Sequence, residues 1–107
     1  MNNEQCRKFV IAYNEWLSSR STQKDYTIRD VAEFTDIFYK SNVADYDYLE
    51  HYTSIENKDI EDLTIDEILT KLTFYVRGEN FSDDFLKSRI QNGTIDKLMR
   101  CLDERTK

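Results

Sequence analysis

At 107 residues with a formal net charge of −6, the chain has room for one domain with a modest core, and its negative field disfavours direct binding to phosphate backbones. Two glycines and no proline are too few turn formers for a sandwich or barrel, while 13% aromatic residues supply enough core material to exclude wholesale disorder. No apolar run approaches the roughly 18 residues a membrane span needs and no signal peptide is seen, so the expectation is a cytoplasmic chain without a membrane partner.

The first expected helix runs from about Asn3 to Ser19. Cys6, Phe9, Val10, Tyr13, Trp16 and Leu17 recur at steps of three and four and form one apolar stripe. Glu4, Arg7, Lys8, Asn14 and Glu15 occupy the opposite face, and residues 18–22 read as a polar loop. Thr27 is a good N-cap for a second helix, its hydroxyl placed to accept from the Asp30 N–H, with Ile28, Val31, Phe34, Ile37 and Phe38 inward. That helix should end near Ser41 and Asn42, with Lys40 suited to the negative end of the macrodipole.

Residues 43–53 form an acidic, aromatic segment, read as a short helix or turn capped by Asp45 with Tyr48, Leu49 and Tyr52 inward; the Tyr/Asp alternation also suits an extended strand. A polar connection over 57–62 leads to Thr64 and Glu67, spaced as a capping box. The helix that follows carries Ile68, Leu69, Leu72, Tyr75 and Val76, with Gly78 as a left-handed stop. Ser82 is placed to cap the next helix, and Phe81 and Leu86 have the spacing of a hydrophobic staple. Gly93 should stop that helix, and Thr94 should cap a last one with Ile95, Leu98, Met99 and Leu102 inward.

The stretch from Leu72 to Asp83, with Thr73, Val76, Arg77, Gly78, Glu79, Phe81 and Ser82, resembles a bacterial domain family of unknown function. Asn92, Gly93, Ile95, Leu98, Met99 and Leu102 fit a second part of its pattern, and Asp45 to Tyr48 with Tyr52 fit a third. The likeness covers roughly residues 44–102. Asn80 stands where the family usually has Arg, and Asp84 where it often has Gly. The resemblance implies a helical domain common in bacteria and their mobile elements, and no activity.

No residue pattern assembles a catalytic, cofactor or metal site. Asp45, Asp47 and Glu56 match three positions of a calcium loop, but Leu49 lacks a ligand oxygen and Glu50 stands where the turn needs Gly. His51 is the only histidine and has no ligand-spaced cysteines or marked nucleophile; Cys6 and Cys101 sit near opposite ends and read as buried reduced thiols, with a Cys6–Cys101 bridge as the alternative should the terminal helices touch. Arg77, Glu79, Asp83 and Asp84 read as a capping and ion-pair knot at a helix junction, which as part of the motif Arg77, Gly78, Glu79, Phe81, Ser82, Asp83 and Gly93 is structural; the sharper alternative is a cleft for a charged group.

Between Asp45 and Glu67 nine carboxylates face the single base Lys58. Such a run is commonly a solvated face. The interleaved tyrosines favour a surface for a basic protein partner, with Asp45, Tyr46, Asp47, Tyr48, Glu50, Tyr52, Glu56, Asp59, Glu61 and Asp62 as its contacts. The expectation is therefore an all-α single domain, 1–107, of five or six short helices, acting as a non-enzymatic interaction module. One version of it is a phage-type inhibitor of a nucleic-acid-binding host protein. Two alternatives stand beside it: a helix-turn-helix DNA-binding regulator using residues 82–102, and a carboxylate-based hydrolase.

Overall fold

Six helices follow one another along the chain in a computed structural model that describes residues 3–20, 25–78 and 84–107. They are α1 (Asn3–Ser19), α2 (Ile28–Lys40), α3 (Tyr48–Ile55), α4 (Ile65–Gly78), α5 (Phe85–Gln91) and α6 (Thr94–Thr106), with a 3-10 turn at Ile60–Asp62 before α4. No strand occurs among the described residues, and the fold is all-α. The radius of gyration, 13.0 Å, is that of a single packed domain of about 100 residues.

The α-helical apolar period decides what faces inward. Cys6, Phe9, Val10, Tyr13 and Trp16 of α1 are buried against Phe34 and Phe38 of α2, with the Phe9 and Phe38 rings meeting edge-on at 5.7 Å. Ile68, Leu69, Leu72 and Val76 place α4 at the centre, packed on α3, α5 and α6. Ile95, Leu98, Met99 and Leu102 turn α6 toward α1 and α4. Arg7 pairs with the Asp103 carboxylate and donates to Thr106 Oγ1 at 3.2 Å, tying α1 to the last turn of α6. Cys6 is buried and Cys101 half-buried, both as free thiols.

The capping box at Thr64 forms where its spacing placed it, and the expected Thr27 cap is a full capping box as well. Thr27 accepts from the Asp30 N–H while Asp30 accepts from the Thr27 N–H, and Thr64 and Glu67 do the same ahead of α4. Gly93 is left-handed, φ 87°, and separates α5 from α6. Thr94 is the first residue of α6 rather than its cap; the Asn92 side chain accepts its N–H instead.

Several expectations are corrected. Arg20 is not part of a solvated loop: it is buried against Asp30, with its guanidinium 3.7 Å from the Tyr26 ring centroid. Ile28 and Leu49 are not core residues, being 82% and 67% exposed, because each lies in the first turn of its helix on the side away from its neighbours. The 43–53 segment is a turn leading into α3, as its helix-or-turn reading had it, and only the extended alternative fails. Asp45 does not cap α3; its carboxylate accepts from the Asp47 N–H two residues on, and the N-cap position falls to Asp47. Gly78 is helical and has no positive φ. Its need for glycine is steric, since a Cβ there would fall on the Phe85 ring. Glu79, Phe81, Ser82 and Asp83, and with them the staple and the Ser82 cap, lie outside the described residues.

Candidate functional site: an acidic groove

The turn at 43–47 is held against α4 by threonines. Thr73 Oγ1 accepts the Asp45 N–H at 2.9 Å, and Thr70, one helical turn earlier, donates its hydroxyl to Asp45 Oδ2. His51, on the first turn of α3, brings Nδ1 to 2.8 Å from the same oxygen. Asp45 is thereby fixed with its side chain 17% exposed, while the His51 ring is 57% exposed. Burial raises the Asp45 pKa, but hydrogen bonds from Thr70, His51 and the Asp47 N–H outweigh it and hold the carboxyl below its usual range. The hydrogen bond to Asp45, and then its charge, raise the His51 pKa in turn.

Beside this knot opens a groove of about 510 Å³ between the turn, α3 and the first turns of α4. Asp45, Asp47, Asp66 and Glu67 line it together with Tyr46 and His51. Glu67 is held below the usual carboxylate range by the Thr64 N–H and then by Lys58, whose ammonium lies 3.0 Å away. Tyr46, 75% exposed, presents its ring at the groove.

Of the residues expected to contact a partner, the fold brings Asp45, Tyr46 and Asp47 into this groove, and Glu50 is exposed on α3. The others are not gathered there. Tyr52 stacks on Phe74 at 3.9 Å, and Tyr48 meets the same ring edge-on. Glu61 pairs with Lys97 of α6 at 2.7 Å, while Glu56, Asp59 and Asp62 are exposed elsewhere. His51 and Thr70 are members that the linear pattern did not single out; the only available signal was the Asp45–His51 spacing, which closes on itself once α3 forms. Arg77 does not pair with Asp84 but turns to Tyr39 and Tyr48, whose hydrogen bonding raises its pKa.

Residues 3–107 match the profile of a family described as a family of unknown function, DUF6508. The chain belongs to DUF6508. The match spans all six helices, where the resemblance read from the sequence covered only the middle and C-terminal part. No curated protein and no solved structure matches the chain.

Other surfaces of this DUF6508 domain carry paired charges. On α6 the cations are engaged: Lys97 with Glu61, Arg100 with Asp96 at 2.7 Å, and Arg105 with the Glu61 carbonyl. The inward face of α6 is fully committed to the core. Among the described residues no group of His, Cys, Asp and Glu has metal-site geometry, and no helix is long and apolar enough to cross a membrane.

Proposed function

We propose that this domain is a binding module whose acidic groove takes a basic segment of a protein partner. The observation that carries the reading is the convergence of Asp45, Asp47, Asp66 and Glu67 on one groove of about 510 Å³ beside exposed Tyr46. The carboxylates supply charge complementarity for Lys or Arg side chains, and the aromatic surface supplies contact area at low entropic cost. Asp45 is preorganised by Thr70 and His51, so it loses little freedom on binding. Tyr48 and Tyr52, packed on Phe74, stiffen the wall and make no contact with the partner. Nucleic-acid-binding proteins carry such basic segments, and occupying one blocks a phosphate site. That chemistry fits a small inhibitor of the phage or mobile-element type, acting by binding alone.

A fluorescent Lys/Arg-rich peptide titrated into the domain by anisotropy tests this. Reversing Asp47 and Glu50 together to Lys should weaken binding by roughly tenfold or more, whereas reversing Glu4 and Glu15 on α1 should change it little. Affinity should also rise between pH 6 and pH 8, as His51, its pKa raised by Asp45, loses the proton that repels a basic ligand. Equal losses from both pairs would mean that net charge, not the groove, attracts the peptide, and the reading would fall.

A further inference from the structure

One carboxylate of the acidic groove already holds a cation from the same chain. Lys58 lies just past α3, where its backbone N–H donates to the Ile55 carbonyl at 3.0 Å. From there its side chain crosses to α4, and the ammonium donates to both oxygens of Glu67, at 3.1 and 3.0 Å. Lys58 is the single base among nine carboxylates between Asp45 and Glu67. Among the described residues its ammonium pairs not with its sequence neighbours Asp59 or Asp62 but with Glu67, which lines the groove. Glu67 is itself kept in place, because Oε1 also accepts the Thr64 N–H at 2.9 Å in the α4 capping box. Both side chains retain solvent contact, 42% at Lys58 and 25% at Glu67. Water can compete for a pair of this kind, so another cation can replace the ammonium without either helix unfolding.

We infer that Lys58 is an internal competitor for the groove, an autoinhibitory contact that a lysine or arginine of the bound segment displaces to reach Glu67. The inference rests on the reading of the groove as a site for a basic protein segment, and it adds a restraint on how tightly that segment is held. Part of the attraction between the groove and its partner is spent on replacing a contact the free domain already makes. The capping box leaves the Glu67 carboxylate oriented after the exchange, so the incoming cation meets an acceptor that is already placed.

Anisotropy titration of the full chain with the fluorescent Lys/Arg-rich peptide reads this exchange. Lys58→Met should tighten binding by roughly threefold or more. Lys58→Arg, which keeps a cation on Glu67, should not tighten it. Arg29→Met makes the same change in net charge by opening an exposed pair on α2, 3.9 Å from Glu33, and should leave affinity nearly unchanged. In a Glu67→Gln background, where the amide can still accept the Thr64 N–H, adding Lys58→Met should bring no gain. Unchanged or weaker binding by Lys58→Met would overturn the inference; if reversal of Asp47 and Glu50 still weakens binding, the groove reading stands without it. Equal gains from Lys58→Met and Arg29→Met, or a gain that persists without the Glu67 carboxylate, would overturn it as well, since net charge would then be the cause. Absence of peptide binding by every variant would remove the groove reading and the competitor together.

Discussion

Asp30 serves two residues, Arg20 and Thr27, with one carboxylate. It accepts from Arg20 Nε at 3.2 Å and from a second Arg20 nitrogen at 3.1 Å, and it closes the α2 capping box by accepting the Thr27 N–H at 2.8 Å. Both members of the ion pair are buried, with side chains 7% and 8% exposed. Removing one charge from such a pair strands the other out of water, which costs about 3–5 kcal/mol. Against a total stability of about 5–15 kcal/mol that is a large fraction. Asp30→Asn should therefore lower the denaturant midpoint sharply, as read by circular dichroism in urea. The hydrogen bond from Arg20, followed by that from the Thr27 N–H, holds the Asp30 carboxyl below its usual range. Its stabilisation is complete above the unfolded value of about 3.9 and is lost as pH falls through the lower folded value. The wild-type protein should lose stability in that acidic window, and Asp30→Asn should flatten the dependence. The exposed Lys97–Glu61 pair, at 54% and 61%, gives no comparable effect, because solvent screens it.

At the scale of elements, α5 shows how a helix too short to be stable alone is kept in place. Its seven residues fall far below the roughly 12–15 that an isolated helix needs. It enters through Asp84 with φ 67°, a left-handed backbone at the position where the family resemblance places Gly. Buried Leu86 and Ile90 hold it, together with the Phe85 ring lying on Gly78 and meeting Phe74 and Tyr75 at 5.7 and 5.8 Å. Gly78→Ala should force that ring aside and cost about 1–3 kcal/mol, the usual range for overpacking. The Gly78→Ala, Phe85→Leu double variant should lose less than the sum of the two single changes in a double-mutant cycle. Additive losses would show that the ring and the glycine do not meet. The helices were readable because their signals are local: α1 follows its apolar stripe, and the Thr27 and Thr64 boxes need partners only three residues away. Gly78 was misread for the complementary reason. Its glycine answers to a ring on the next helix, and a stop signal and a close approach look alike in one dimension.

Over the whole molecule, what escaped the sequence is what the fold brings together. The acidity of 45–67 was plain, but Thr70 reaches Asp45 across 25 positions and only the packing of α3 on α4 makes a groove of them. Arg20 reads as loop until Asp30 and Tyr26 close over it. The longest of these closures joins α1 to α6, and two kinds of contact contribute to it. The polar clasp of Arg7 with Asp103 and Thr106 is about one-third exposed, 32% at Arg7 and 30% at Asp103, so solvent competes for it. The apolar seam of Cys6, Phe9, Leu98 and Leu102 is wholly buried, at 0% each. Magnitude favours the seam: a partly exposed ion pair contributes about 1 kcal/mol or less, whereas emptying one buried leucine position costs about 2–5 kcal/mol. Arg7→Gln should thus shift the thermal midpoint by a few degrees and keep a single cooperative transition. Leu102→Ala, which leaves the clasp residues in place, should cause several times that loss in calorimetry. The reverse order would mean that charge at the chain ends, not the buried seam, holds the first helix to the last.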